Sequence, residues 1–376
     1  MKVVVTERKG ANAIWGVMNP VASALLARGD EMIYCRFDDG QQREPLPPPT
    51  GVDIVDVKVP AKKRPWDLYR QHQVYSKDFS ALLTDLKPEI VHTHFCVPGI
   101  SARLVAKRLN VPALVSTQHE LYQSMNLLLR LGVRFTDRCA DSITYVSKTV
   151  EESFGHSLSS LRVSSNSRFP NKVVIHNGVD VRVLELIRKR IKAKKTFQIA
   201  SVGRMVSIKG QETLIKAMPT VLSRFPEARL VVVGSGPNEV MIRNLVDKLG
   251  LNAKVDFTGW IDRNEALEII AGSAILVAAS DEEGFGLAVA EGMALGTSVV
   301  ASHIPAFEEI LGGNDECGYF FENRNAEYLS RMICKVFENP DESVQRAING
   351  LLRVQEKFSV AKMVNGYLDV YDSLAK

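Results

Sequence analysis

At 376 residues the chain is about two and a half times the ~150 residues of a typical domain, so two domains with a cleft between them are expected. Hydrophobic residues at 45% and charged residues at 24%, with 25 Gly and 16 Pro, exclude wholesale disorder, collagen and coiled coil, and no apolar run approaches the ~20 residues that cross a bilayer. The formal charge of +4 hides an asymmetry: residues 1–195 hold 30 Lys and Arg against 19 Asp and Glu, a net +11, whereas residues 196–376 hold 17 against 24, a net −7.

The start, Met1-Lys2-Val3-Val4-Val5-Thr6-Glu7-Arg8, becomes charged too early for the apolar core of a secretory signal. Five scattered cysteines without a Cys-x-x-Cys pair fit a reducing cytoplasm. Strands are expected at Val3–Thr6, Met32–Phe37, Ile54–Val57, Ile90–His94, Ala113–Thr117, Ile143–Val146 and Val173–His176. Helices between them are expected at Val17–Arg28, Ser101–Leu109 and Leu121–Cys139. The proline-rich stretch Glu44–Thr50 reads as a stiff surface loop. The run Arg188–Lys195 holds six of the positive charges and reads as a solvated helix end or linker.

A second α/β series follows, with strands expected near Phe197–Val202, Arg229–Gly234, Lys254–Thr258, Ala274–Ala278 and Ser298–Ala301. From Ala326 to Ala375 only helical period remains, interrupted at Asn339-Pro340 and Phe358-Ser359. The first strand of this series ends in Gly203-Arg204 and continues to Lys209-Gly210; two cations at a strand's carboxyl end suit a diphosphate, or are surface salt-bridge residues. Gly234-Ser235-Gly236 is a weak glycine turn, with no third glycine and no acidic residue about twenty positions on, so a dinucleotide fingerprint is not met. The segment Ile275–Ser302 reads strand, glycine turn, helix, tight turn, strand. Its turn Glu283-Gly284-Phe285-Gly286, with helix entry at Leu287, makes an anion cradle of backbone N–H groups. Glu283 and Glu291 beside it suit hydroxyls rather than phosphate, or are ordinary helix carboxylates.

Gly203-Arg204 with Lys209-Gly210, Gly234–Pro237, Phe257-Thr258-Gly259 and the pair Glu283/Glu291, in that order, resemble the retaining, nucleotide-sugar-dependent glycosyltransferases of family 4. The likeness is strongest from about Lys172 to Ala301. It implies the α/β GT-B fold, two Rossmann-like doubly wound parallel-sheet domains facing a cleft, with C-terminal helices returning to the N-terminal lobe. The implied divisions are an acceptor domain over 1–180, a basic linker over 181–195, a donor domain over 196–358, and a terminal helix over 359–376.

By position, the resemblance implies that Arg204 and Lys209 neutralise the donor pyrophosphate and that the backbone of Gly286-Leu287 holds its distal phosphate. Phe285, Gly203 and Gly234 line the same donor site. Glu291 would bind the ribose, Glu283 the hydroxyls of the transferred sugar, and Ile261 would lie near the nucleobase. Asn177-Gly178 matches the family's turn at the interdomain crossing, and His119 its histidine beside the donor sugar. His94 is read as facing the acceptor and His92 as structural. The first loop departs from the family's paired glycines: Gly16 alone remains for a helix start near phosphate, and Trp15 narrows the space or stacks on an acceptor.

The implied reaction is retaining transfer from a UDP- or GDP-sugar to an acceptor glycan or glycolipid, by front-face attack with fixed cations in place of a metal ion. The nucleotide sugar is a substrate, and neither a cofactor nor a metal site is expected. Leu127–Leu129 with Arg130, Arg134 and Arg138, near Lys62–Trp66, are either core and a solvated stripe or a dock for an anionic membrane; nucleic acid is not expected. The chain would then be cytoplasmic, peripheral on the inner face of the membrane. Three rival readings are a nucleotide-sugar epimerase, distinguished by products formed without an acceptor, a dinucleotide oxidoreductase, disfavoured by the incomplete fingerprint, and a non-catalytic nucleotide-sugar-binding protein.

Overall fold

The computed structural model describes residues 1–40, 46–62, 64, 66–94, 96–158, 170–191 and 195–375. Parts of three expected features, Glu44-Pro45, Lys63 with Pro65, and 192–194 of the linker, lie outside them. The chain divides into two units: unit 1 comprises Met1–Asn177 with Ala361–Lys376, and unit 2 comprises Gly178–Val360.

Unit 1 is a seven-stranded parallel sheet of β1 (Lys2–Arg8), β2 (Glu31–Asp38), β3 (Asp53–Lys58), β4 (Ile90–His94), β5 (Ala113–Gln118), β6 (Ser142–Tyr145) and β7 (Asn171–Val174), in the order β3-β2-β1-β4-β5-β6-β7. Its helices are α1 (Asn12–Ala27), α2 (Asp67–Leu86), α3 (Cys96–Arg108), α4 (Leu127–Asp137) and α5 (Lys148–Leu158). Strands such as Val3-Val4-Val5 are apolar on both sides because helices cover both faces.

Two expected helices differ from those found. α1 starts at Asn12, and Pro20 sits inside it. The stretch expected as one helix from Leu121 to Cys139 is a short turn at Tyr122–Ser124 followed by α4. Asn126 caps α4 by accepting from the Leu129 amide at 3.0 Å, which fixes the start there.

Unit 2 opens with α6 (Val181–Arg190), where the sequence suggests a linker. Asp180 caps it, and Leu184 and Ile187 are buried, so an apolar stripe folds the basic run into the domain. Its sheet contains β8 (Lys195–Val202), β9 (Arg229–Val233), β10 (Val255–Gly259), β11 (Ser273–Ala278), β12 (Ser298–Ser302) and β13 (Tyr319–Phe321), in the order β10-β9-β8-β11-β12-β13. The three-residue edge strand β13 was not legible in the sequence. The helices are α7 (Gln211–Arg224), α8 (Glu239–Lys248), α9 (Arg263–Gly272), α10 (Leu287–Ala294), α11 (Pro305–Leu311), α12 (Ala326–Glu338) and α13 (Pro340–Lys357). One core joins Ile199, Leu214, Met218, Leu230, Ile275, Val300 and Leu329. The chain crosses between units twice, and the crossings are clipped together: the Val179 amide donates to the Phe358 carbonyl at 2.8 Å, and the Val360 amide to Val179 at 3.1 Å.

The last helix, α14 (Val360–Leu374), belongs from Ala361 to unit 1. Tyr367 and Tyr371 are buried, and the Tyr371 hydroxyl meets His92 Nδ1 at 2.6 Å. On the opposite face of the sheet Arg103 of α3 is fully buried. Its guanidinium donates to Thr136 and Ser116 at 2.9 and 3.1 Å and lies 3.7 Å from the Asp137 carboxylate. Burial raises the Asp137 carboxyl, and Arg103 opposes that shift. Arg103→Ala should therefore cost about 3 kcal/mol by leaving a buried acid uncompensated. Chemical denaturation with an unchanged midpoint would contradict this role.

Candidate functional site

In unit 2 the chain adds strands outward from β8 to β10, then jumps to the other side of β8 to lay down β11. The loops after β8 and β11 therefore part in opposite directions from adjacent carboxyl ends, where open parallel sheets hold ligands. The Asp281 amide donates to the Ile208 carbonyl at 2.8 Å, and Lys209 Nζ donates to Glu283 Oε1 at 2.5 Å. Ser280 Oγ donates to the same carboxylate oxygen at 2.8 Å. Arg204, from the same loop as Lys209, is exposed, and its guanidinium has no partner among the described residues.

Gly203 and Gly234 pack backbone to backbone. A Cβ on Gly234, whose φ is 121°, would stand 2.2 Å from the Gly203 carbonyl oxygen, so only glycine lets these loops touch. Gly286 precedes α10 with φ 98°, and a Cβ there would meet the Phe307 ring at 2.7 Å. No side chain caps α10, which leaves the Leu287 amide free at the positive end of the helix. Phe285 is buried edge-on against Phe358, with ring centroids 5.6 Å apart.

Glu291, inside α10, is 7% exposed, and its Oε1 accepts from Arg263 Nε at 3.0 Å and Nη2 at 2.6 Å. Burial pushes its carboxyl up against the pull of Arg263. Ile261 is half-buried in the turn between β10 and α9, next to an exposed Trp260. Thus the structure brings Gly203, Arg204, Lys209, Gly234, Glu283, Phe285, Gly286 and Leu287 to one end of the sheet, with Glu291 one helical turn in. Arg263 was missed because a helix-start arginine carries no motif.

In unit 1, His92, His94 and His119 form a chain. His92 Nε2 meets Thr117 Oγ1 at 2.6 Å, and His94 Nδ1 meets His119 Nε2 at 2.9 Å. Burial holds all three neutral: His92 is pushed down to about 3, His119 to about 4, and His94 well below the usual range. His92 is structural, as expected, tied to α14. Asn177 stands at the first crossing between units, with a buried Oδ1 that has no partner.

Two expectations fail. Trp15 is 1% exposed, its indole donates to the Arg8 carbonyl at 2.9 Å, and its ring packs on Tyr34; it is core, with no face left for an acceptor. Gly16 is the fifth residue of α1 rather than a residue before its start, so its amide belongs to the helical ladder. Among the described residues no group of three His, Cys, Asp or Glu side chains is arranged to hold a metal ion.

Two family models match adjoining stretches: Glycosyltransferase Family 4 over residues 20–183 and Glycosyl transferases group 1 over residues 184–351. A GDP-mannose-dependent monoacylated alpha-(1-6)-phosphatidylinositol monomannoside mannosyltransferase of Corynebacterium glutamicum is 26% identical over 64% of this chain and 64% of its own length. The N-acetyl-alpha-D-glucosaminyl L-malate synthase of Bacillus anthracis is 25% identical over 75% of this chain and 74% of its own. Among solved structures, sucrose-phosphate synthase from Thermosynechococcus elongatus superposes with a TM-score of 0.81 at 21% identity, over 100% of this chain and 99% of its own. HepE of Anabaena in complex with UDP superposes with a TM-score of 0.77 at 16% identity, over 99% and 100%.

The Arg263–Glu291 pair makes a pH-dependent prediction. The folded Glu291 carboxyl is raised, so the native state binds more protons than the unfolded chain near that range, and stability falls as pH rises. Arg263→Ala removes the opposing cation. Its melting temperature should fall below that of the wild type by more at pH 7 than at pH 5; an equal deficit at both would show that the pair is electrostatically idle.

Proposed function

Because the chain belongs to the family 4 glycosyltransferases and has the GT-B fold, we propose that it transfers a sugar from a nucleoside-diphosphate sugar to an acceptor hydroxyl with retention of anomeric configuration. The observation that carries this reading is the trio at the β8/β11 switch point: an unpaired Arg204, Lys209, and the uncapped start of α10. A diphosphate leaving group gains charge as the glycosidic bond breaks, and preorganised cations and amides stabilise that charge most in the transition state. Lys209 exchanges part of its hold on Glu283 for phosphate, which frees Glu283 for hydroxyls of the transferred sugar. Glu291 takes the ribose, and the backbone at Ile261 the base. His119, neutral, donates or accepts a hydrogen bond at the sugar.

The donor is a UDP- or GDP-sugar. In support, HepE was solved with UDP, and the Corynebacterium relative is named as GDP-mannose-dependent. Fixed cations do the work of a divalent ion in this scheme, so turnover persists in excess chelator. Arg204→Ala should weaken nucleoside-diphosphate binding and lower kcat/KM by about 10²-fold, on the scale of other transition-state charge contacts. Glu283→Ala should lower kcat with nucleotide affinity largely kept. Calorimetry and initial rates check both; full activity of Arg204→Ala, or loss of activity in chelator, would defeat the scheme.

We also propose a lipid-linked or surface-polysaccharide acceptor, reached from an anionic membrane. Leu127, Leu128, Leu131 and Phe135 of α4 are 55% to 82% exposed and share one helical face. Arg134 and Arg138 border that ridge, and Trp66 and Tyr69 are exposed at the start of α2. An apolar ridge edged by arginines complements acidic headgroups. Vesicles of phosphatidylglycerol mixed with phosphatidylcholine should sediment the protein, and the double substitution Leu128→Glu with Phe135→Glu should abolish this. Equal sedimentation of the variant would rule out α4 as the dock.

A further inference from the structure

The turn Gly284-Phe285-Gly286 sets a glycine on each side of one large side chain, and glycines impose little backbone preference of their own. Gly286 stands at φ 98°, in the left-handed region, so the direction in which the Leu287 amide points is set by what the turn packs against. Phe285 anchors it on one side, 4% exposed and edge-on to Phe358. On the other side the Gly286 backbone leans on α11, where an added Cβ would stand 2.7 Å from the Phe307 ring and 3.3 Å from Ile310 Cδ1.

These two walls are tied to each other. Phe358 directly follows α13 and is 2% exposed. Its amide donates to the Val354 carbonyl at 2.9 Å, and its carbonyl accepts from Val179 at 2.8 Å, beside the point where the chain crosses between units. The guanidinium carbon of Arg353, on α13, lies 6.0 Å from the centroid of the Phe358 ring. Arg353 Nε donates to the Ile310 carbonyl at 2.7 Å, and its Nη2 to the Glu309 carbonyl at 2.9 Å. The last carbonyls of a helix lack partners within it, so a guanidinium fork at the end of α11 fixes that end firmly. The contacts close on themselves: Phe285 to Phe358, Phe358 to Arg353, Arg353 to Ile310, and Ile310 back to Gly286.

We propose that Phe358 and Arg353 are positioning residues of the donor site, which together brace the Gly-Phe-Gly turn so that the Gly286-Leu287 amides point at the distal phosphate. This rests on the donor reading above and adds two side chains that act through Phe285 and through α11. Neither is a catalytic residue. The segment of chain that leaves unit 2 is thus also the one that shapes its phosphate cradle.

A main-chain amide cannot turn to find its acceptor as a side chain can, so a turn that tilts loses hydrogen-bond geometry at once. The rest of the donor is less exposed to such a tilt. Glu291 lies deep in α10 and is held by Arg263, and Ile261 stands in the separate turn after β10. Loosening the brace therefore penalises a nucleoside diphosphate and spares the matching monophosphate, whereas general core damage penalises both.

Calorimetry on the full chain, with UDP against UMP and GDP against GMP as probes, reads this difference. Wild type should bind at least one diphosphate more tightly than its monophosphate. Phe358→Leu, which stays apolar and loses the ring edge, should weaken diphosphate binding about fivefold, the scale of one aromatic pair, and leave the monophosphate unchanged. Arg353→Met, which keeps the stem and loses the fork, should do the same. The double variant should bind no more weakly than the weaker single, because both act through one brace. Monophosphate binding at wild-type affinity shows that a variant is folded, and if Phe358→Leu does not fold, Arg353→Met decides. The proposal is overturned if the variants keep the wild-type ratio of diphosphate to monophosphate affinity, if both nucleotides weaken together, or if the two losses multiply in the double variant. A wild type that binds no nucleotide, or binds diphosphates no more tightly than monophosphates, would instead remove the donor reading, and this proposal with it.

Discussion

The ion pair between Lys209 and Glu283 ties together two loops that the sheet sends in opposite directions. Beside it, the divergent exits of β8 and β11 are joined by the main-chain hydrogen bond from the Asp281 amide to Ile208 and by the close backbone approach of Gly210 to Ala279. With it, a cation, a carboxylate and the uncapped start of α10 are fixed relative to one another before any ligand arrives. Lys209 is already neutralised by its partner and Arg204 is not, so the two cations are inequivalent: one is held in reserve and the other is free. Preorganisation of this kind lets charge developing on a leaving group be met without reorganising the site.

Unit 1 uses the opposite electrostatics at its own switch point. Three histidines and a carboxylic acid lie at the ends of β1, β4 and β5, and burial strips all four of charge near neutral pH. The chain of contacts from Tyr371 through His92 and Thr117 shows how the terminal helix contributes: it fixes the His92 ring, which packs beside His94 with centroids 4.3 Å apart. A charged patch in one unit and a neutral, hydrogen-bonding patch in the other stand at the same topological reversal.

Much of this was legible in the sequence because parallel strands covered on both faces read as short apolar runs, and glycines mark where loops must touch. Gly234 and Gly286 are cases in which a side chain would strike Gly203 or Phe307. Misreadings arose where tertiary packing overrode local pattern. Trp15 looked like a surface aromatic in a glycine-poor loop, yet the Arg8 carbonyl and Tyr34 draw it into the core. Of the two readings of the basic run from Arg188, a solvated helix end or a linker, its first part takes the helix end: Arg188, Lys189 and Arg190 form the last turn of α6, anchored by Leu184 and Ile187. Arg263 was invisible for a different reason: it meets Glu291 across 28 residues of sequence, and that leaves no mark in local spacing.

Under the proposed function, the β8/β11 switch point of unit 2 binds a nucleoside diphosphate through fixed positive charge. In a crystal structure with bound UDP or GDP, the distal phosphate should lie within hydrogen-bond distance of the Gly286-Leu287 amides, with Arg204 turned onto the diphosphate. A nucleotide bound elsewhere, with Arg204 still extended into solvent, would rule out this binding mode.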